Sequence, residues 1–280
     1  MRRRVPALAL VVTMALAACS AGATTTPGAS ASAAASASGA SQAPATALTI
    51  YAAASLKGAL AKATAAYSAP HPGTMFSVST DSSAALETKI EEGAPADVFL
   101  SADTSNPQKL VDKGLAIGSL TKFAGNLLTV VVPASNPAAI RSPADLARSG
   151  VKVIAAGDSV PITKYANQLV ANLARQPGYP ADFAARYVAN VASREDNVAG
   201  VVAKIALGEG DAGIVYLTDA KASTKVATIP VPTEANVPAT YGGVVVSASA
   251  NEAAGAAFLA WLAGPDGQAV LATFGFLPPA

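Results

Sequence analysis

Apolar runs and helical stripes alternate along most of the chain. Short runs with almost no polar residue, such as 48–53 and 127–132, have the length and composition of buried strands. Between such runs, apolar residues recur at three- and four-residue steps, as at Leu56, Leu60 and Ala63, which predicts the buried face of a helix. Strands that alternate with helices in this way favour an α/β fold with mostly parallel sheets covered on both faces.

The same patterns predict the remaining elements. Further strands are expected at 76–80, 97–101, 151–155, near Val188, and at 212–216, 227–231 and 242–246. Helices are expected at 83–92, 143–149, 163–174, 181–187 and 198–207, with two more before the C-terminus. Asp97 and Asp103 are interpreted as structural residues, at a strand edge and at a helix cap.

Four segments carry hydrogen-bond donors where a predicted strand gives way to a helix. They are residues 50–56, 81–84, 160–163 and 196–198. A helix start exposes free backbone N–H groups and the positive end of the helix dipole, which makes it a natural anion site. Ligands of parallel α/β folds collect at the carboxyl ends of strands, where helices begin. The pattern therefore predicts a cage for a small oxyanion, built from both halves of the body.

The N-terminus has the pattern of an export signal. Three arginines precede an apolar run over 5–18, which is shorter than the ~20 residues of an ordinary membrane span. Residues 16–19, Leu-Ala-Ala-Cys, are similar to the lipobox of bacterial lipoproteins, which implies cleavage before Cys19 and a lipid on its sulfur. The alternative is a plain signal peptide with an incidental cysteine. Because Cys19 is the only cysteine, an internal disulfide and a cysteine metal cluster are excluded.

Composition separates a tether from a folded body. Residues 19–46 are nearly all Ala, Ser, Thr, Gly and Pro and carry no charge, so they are expected to form a flexible linker. Loss of residues 1–18 leaves 16 Lys and Arg against 18 Asp and Glu, a formal charge of −2. A nucleic-acid surface would need a basic excess. Half of the whole chain (51%) is hydrophobic, so the body after residue 46 has enough apolar residues for a substantial core.

Several blocks of the body, in the right order, resemble the molybdate-binding proteins of ABC transporters. They are residues 50–56 (IYAAASL), 92–103 (EGAPADVFLSAD), 213–220 (GIVYLTDA), 264–265 and 274–276. The resemblance implies a two-lobed periplasmic binding protein fold, type II-like, with two interlobe crossovers. The first lobe would comprise 47–125 and 240–280, and the second 126–239.

The resemblance also implies a ligand set. Each member would donate from a hydroxyl or a backbone N–H to the anion, and the set is Ser55, Ser83, Ile162, Val198 and Tyr216. Ser82 and Asn197 are the alternatives if the register differs by one residue. Asp81 departs from the family pattern and would add negative charge near the mouth of the site. Lys164 and Arg194 lie near two of the four segments and are interpreted as solvated surface charges. The alternative is that they tune the electric field at the rim of the cleft.

The function implied is capture of molybdate and tungstate for delivery to a membrane ABC permease. The protein would be a monomer outside the cytoplasm, anchored through Cys19, with no resident cofactor and no bare metal ion. The alternatives are a protein of the same fold for another oxyanion such as sulfate or phosphate, and a lipid-anchored interaction module without a small ligand. An enzyme is disfavoured because His71 is the only histidine and no Gly-x-Ser-x-Gly motif occurs.

Overall fold

The computed structural model describes residues 46–279, which belong to one compact unit. The strands of this part of the chain are β1 (Thr46–Ala53), β2 (Thr74–Asp81), β3 (Val98–Ser101), β4 (Ala116–Asn126), β5 (Leu128–Pro133), β6 (Val153–Ala156), β7 (Val191–Glu195), β8 (Ala212–Tyr216), β9 (Val226–Ile229) and β10 (Ala239–Val246). Its α-helices are α1 (Lys57–Ser68), α2 (Ser83–Glu91), α3 (Ser105–Asp112), α4 (Pro161–Leu173), α5 (Phe183–Ala189), α6 (Val198–Leu207), α7 (Leu217–Lys221), α8 (Glu252–Ala263) and α9 (Pro265–Thr273). Two short 3-10 turns occupy Ala54–Leu56 and Pro143–Ala147.

The strands form two five-stranded sheets. The first has the order β2-β1-β3-β10-β4 and the second the order β7-β6-β8-β5-β9. The α/β fold is confirmed, but the sheets are mixed rather than mostly parallel. The reason is that β10 and β5 each run antiparallel to both of their neighbours, so each sheet has two parallel and two antiparallel pairs.

The chain passes between the sheets twice, as predicted. The first sheet gives way to the second between Asn126 and Leu128, and residues 230–238 return from β9 to β10. Asn236 of the returning segment accepts the N–H of Leu128 at 3.0 Å and donates to its C=O at 2.9 Å. The two crossings therefore lie side by side. We call each sheet with the helices packed on it the first lobe and the second lobe.

Central strands are buried along their whole length, which explains their continuous apolar sequences. Every residue of β3, β5, β6 and β8 is buried, whereas the edge strand β2 is half-buried or exposed throughout. Strands covered by helices have no solvent-facing side on which polar residues could lie. Polar groups of such sheets reach a ligand at the strand ends instead, and this determines where a site can form.

Three elements differ from the sequence predictions. β4 was not predicted because only its last four residues are buried and glycines interrupt it, so it lacks a continuous apolar run. The prediction of a strand near Val188 is wrong. Val188 lies in α5 and is 57% exposed, and β7 begins only at Val191. The five-residue helix α7 was also missed, because it follows β8 without a break.

Some predictions fall outside the described residues. The signal peptide (1–18), the lipidation site Cys19 and the linker (19–46), apart from Thr46, lie there. Within residues 46–279, no helix combines the length and the apolar character that a membrane crossing requires.

Candidate anion-binding site

A cavity lies between the two lobes, with about 220 Å³ of empty space that is partly open to solvent. Both lobes contribute to its wall. The lining residues are Ala53, Ala54, Ser55, Asp81, Ser82, Ser83 and Ala102 from the first lobe, and Val160, Pro161, Ile162, Asn197, Val198 and Tyr216 from the second. All five residues of the predicted ligand set are therefore brought together at one place.

The topology explains this convergence. The strands whose carboxyl ends reach the cavity belong to the parallel halves of the two sheets: β1, β2 and β3 in the first, and β6, β7 and β8 in the second. Parallel neighbours end at the same edge of a sheet, so the segments that follow them meet there. The two edges face each other across the cavity.

Helix starts supply backbone donors to this cavity. Ser83 and Val198 are the first residues of α2 and α6, and Ile162 is the second residue of α4, after Pro161. The N–H groups of a first helical turn have no carbonyl partner within their own helix. Pro161 suits the first position because it has no N–H to satisfy. Ser55 lies in the 3-10 turn that leads into α1. Each segment thus offers an N–H group together with the positive end of a helix dipole.

The backbone of one residue, Ala102, joins Ser83 to Tyr216 across the site. The N–H of Ala102 donates to Ser83 Oγ at 3.1 Å, and the hydroxyl of Tyr216 donates to the C=O of Ala102 at 3.5 Å. Because Ser83 Oγ accepts this bond, its own hydrogen is free to be donated to a ligand. The Tyr216 bond is long, so this hydroxyl is able to turn towards an anion at little cost.

Ser55 has a different partner, which sequence analysis did not identify. Its Oγ lies 3.0 Å from the hydroxyl oxygen of Tyr241, a fully buried residue of β10. The amide of Asn126 donates to the same tyrosine oxygen at 3.3 Å. The sequence around Tyr241 reads only as an apolar strand, so no local signal could have indicated this contact.

The register alternatives, Asn197 and Ser82, both have bonds to Asp81. The side chain of Asn197 caps α6 by accepting the N–H of Gly200 at 3.1 Å, and it donates to Asp81 Oδ1 at 3.3 Å. The N–H of Ser82 donates to the same carboxylate oxygen at 2.8 Å. Both residues line the cavity, but these groups already have protein partners.

Asp81 is the only charged residue lining the cavity within the described part of the chain. Burial raises the pKa of its carboxyl, but hydrogen bonds from Ser82, Lys89 and Asn197 outweigh burial and hold the pKa below its ordinary value. Lys89 Nζ lies 3.2 Å from Asp81 Oδ2 and pairs with this charge at the first-lobe rim. The bond from Asn197 makes Asp81 a direct contact between the lobes.

A second carboxyl lies behind the cavity. Asp219, in α7, is half-buried, and desolvation of its carboxyl raises its pKa from 3.8 to about 7, which a backbone hydrogen bond from Tyr216 lowers only in part. Its Oδ2 has no hydrogen-bond partner within residues 46–279. Burial also raises the pKa of Tyr216 and of Tyr241 well above 10, and the nearby Asp219 raises both further. The two tyrosines are therefore neutral donors at physiological pH.

Four other candidate residues do not line the cavity. Lys164 is exposed, and Arg194 pairs with Asp158 at 3.0 Å. Asp97 accepts the N–H of Thr49, and Asp103 accepts the N–H of Asn106 next to the start of α3, so the structural interpretation of both is confirmed. Within residues 46–279, no group of three or more His, Cys, Asp and Glu residues is placed to hold a metal ion.

The site as a whole combines neutral hydrogen-bond donors with the positive ends of helix dipoles. Hydroxyl and N–H groups converge, helix dipoles point inward, and the one lining carboxylate has a lysine partner. Hydrogen bonds from neutral donors to an ionised acceptor are worth ~1.5–3 kcal/mol each, so several together can hold a buried anion without a countercharge. A small, multiply charged oxyanion is the ligand that this arrangement suits best.

Comparison with known proteins shows what the chain is similar to. A model of the bacterial extracellular solute-binding proteins matches residues 48–277. The molybdate-binding protein ModA of Mycobacterium bovis is 33% identical over 236 residues, which cover 84% of this chain and 86% of that protein.

Solved structures share the fold. The periplasmic molybdate-binding protein of Azotobacter vinelandii superposes with a TM-score of 0.70 at 24% identity, over 83% of this chain and 100% of that one. The sulfate-binding protein SubI of Mycobacterium tuberculosis gives a TM-score of 0.74 at 25% identity, over 83% of this chain and 87% of that one. The chain belongs to the family of bacterial extracellular solute-binding proteins.

Proposed function

We propose that this protein captures molybdate, and tungstate with it, in the cavity between its lobes and delivers the anion to an ABC permease. The observation that carries the proposal is the convergence of Ser55, Ser83, Ile162, Val198 and Tyr216 on one cavity. Identity of 33% to a protein named for molybdate binding supports the choice of anion. The protein would act as a monomer and would hold no resident cofactor.

Neutral donors favour fully deprotonated anions. An oxyanion that carries a hydrogen needs an acceptor for it, and an unmatched O–H in a buried site is costly. Asp81 is the one lining carboxylate, and its oxygens already accept from Ser82, Lys89 and Asn197. Molybdate and tungstate have four bare oxygens at neutral pH, whereas phosphate is partly protonated. The donor set therefore disfavours phosphate.

Sulfate is the second candidate. It is also a bare dianion, and the fold superposes well on a sulfate-binding protein. A cage of fixed donors would discriminate between sulfate and the larger molybdate by oxygen spacing.

Calorimetric titration of the purified protein with molybdate, tungstate, sulfate and phosphate tests the proposal. We expect tight binding of molybdate and tungstate, with little heat from the other two. Tight binding of sulfate alone would show that sulfate, and not molybdate, is the ligand. Absence of binding by any of the four anions would contradict an anion-capture role.

We propose binding without catalysis. The family is one of transport proteins, and the cavity offers donors but no paired nucleophile and base. His71 lies away from the cavity, exposed and stacked on Tyr67 with ring centroids 4.2 Å apart.

Replacement of Ser55 by alanine tests the donor set. Ser55→Ala removes one hydroxyl donor and leaves its backbone N–H, so molybdate affinity should fall roughly tenfold, equivalent to ~1.4 kcal/mol. Calorimetry measures the change. The matched control is Ser79→Ala, on the exposed face of β2, which should leave affinity unchanged. Unaltered affinity of Ser55→Ala would mean that the cavity is assigned to the wrong ligand.

Asp219 should make binding depend on pH. As the pH rises through its pKa of about 7, Asp219 gains a negative charge beside Tyr216 and repels a bound dianion. Molybdate affinity should therefore be lower at about pH 8.5 than at about pH 6, and Asp219→Asn should remove most of this difference. The exposed Asp112→Asn serves as the control. A pH profile that Asp219→Asn leaves unchanged would contradict the role.

The same pKa has a consequence for folding. Because the folded-state pKa of Asp219 lies above 3.8, the folded chain binds more protons than the unfolded chain between these values. The contribution of Asp219 to the free energy of unfolding therefore falls as the pH rises from about 4 to about 7, and it stays at this lower value at higher pH. Thermal unfolding of Asp219→Asn should show a larger gain in Tm at about pH 8 than at about pH 4; equal gains would contradict the shifted pKa.

We further propose that Cys19 carries a lipid and holds the protein at the outer surface of a membrane. The support is the lipobox-like sequence at 16–19, and membership of an extracellular family agrees with export. In a bacterial host fed labelled palmitate, the protein should incorporate label, Cys19→Ser should not, and Ser20→Ala should behave like the parent. An unlabelled parent protein would leave a plain signal peptide as the better explanation.

A further inference from the structure

We propose that Asn126 and Tyr241 form a directional hydrogen-bond relay that compels the Ser55 hydroxyl to donate into the cavity. Both are positioning residues: they act through Ser55 rather than on the ligand. This inference rests on the proposed function and adds to it a reason why the site accepts only bare oxyanions. Three contacts carry the argument, and each one sets the direction of the next.

The first contact fixes the amide of Asn126. The N–H of Leu127 donates to Asn126 Oδ1 at 3.0 Å, so the oxygen of the amide must face this N–H group. The Nδ2 group then faces the opposite way and donates to Thr218 Oγ1 at 2.8 Å and to the Tyr241 hydroxyl oxygen at 3.3 Å. An amide NH₂ group is a donor only, so it cannot accept a hydrogen from either partner.

The second contact passes this direction to Tyr241. A phenol has one hydrogen, and its oxygen here accepts from Asn126, so the hydrogen points towards the other neighbour, Ser55 Oγ, at 3.0 Å. Tyr241 is fully buried, which denies the hydroxyl a bulk-water alternative. Its ring is held by edge contacts to Phe123 and Phe276, with centroids 6.1 and 5.4 Å away. The hydroxyl is therefore fixed in place as well as in direction.

The third step concerns Ser55 itself. Because Ser55 Oγ accepts from Tyr241, its own hydrogen must be donated elsewhere, and Ser55 lines the cavity. The same polarity is imposed on Ser83, whose oxygen accepts the N–H of Ala102. Both serines thus face the ligand as preset donors. A ligand oxygen that carries a hydrogen would therefore meet the hydrogens of two serine hydroxyls already directed towards it.

The relay also joins both crossings of the chain. Asn126 is the last residue before the first crossing, Tyr241 follows the second, and Thr218 lies in the second lobe. Asn126 therefore bonds to both lobes at once. The direction of the Ser55 hydroxyl consequently depends on a network at the two crossings, not on the cavity wall alone.

A double-mutant cycle on the purified protein tests the relay, with molybdate as the probe. Tyr241→Phe keeps the ring and removes the hydroxyl, so molybdate affinity should fall about fivefold. In a Ser55→Ala background the same change should cost less than about twofold, because the relay then has no serine to orient. Tyr67→Phe is the control: it is a buried tyrosine of the first lobe, away from the cavity, and should not change affinity.

The outcomes separate the two proposals. Equal losses in both backgrounds would show a general structural effect and overturn the relay, and so would an unchanged affinity in Tyr241→Phe. Thermal unfolding of each variant shows that the fold persists. If the parent protein bound no molybdate, the proposed function would fail and the relay with it; if the parent bound and the cycle showed no coupling, only the relay would fail.

Discussion

A buried multiply charged anion must be met by hydrogen-bond donors, and this constraint governs the rest of the structure. Removal of an ion from water costs several kcal/mol unless every face of it is solvated again. In the proposed site, the starts of α2, α4 and α6 and the turn before α1 would provide the substitute for water. Those starts meet only because the parallel halves of two sheets end at facing edges. Fold and site are therefore one arrangement, and neither sheet alone would enclose the anion.

The chemistry of the cavity is selective through the direction of its hydrogens. Ser83 receives the N–H of Ala102, and Ser55 lies at the end of a chain that begins at the Asn126 amide. Backbone and amide donors cannot reverse, so they set the hydroxyls that follow them. Charges are kept at the edges: Asp81 is paired with Lys89 at the rim. Asp219 is half-buried, and desolvation raises its pKa to about 7.

The sequence predicted the parts of this molecule that depend on local pattern. The bounds of α6 and β8 were predicted without error, and all five ligand candidates lie at one cavity, because buried strands and helix starts leave local traces. What failed depends on partners far along the chain. β4 is half exposed and joins the first sheet only through β10. The contact between Ser55 and Tyr241 spans 186 positions, and no pattern around either residue indicates it.

The central claim is that one anion sits among the four helix starts. A crystal structure of the protein grown with molybdate, with diffraction recorded at the molybdenum absorption edge, tests this most directly. We expect a single anomalous peak in the cavity, with oxygens within hydrogen-bond distance of the Ser55, Ser83 and Tyr216 hydroxyls and of the N–H groups of Ile162 and Val198. A peak elsewhere on the molecule, or no peak at saturating molybdate, would contradict it.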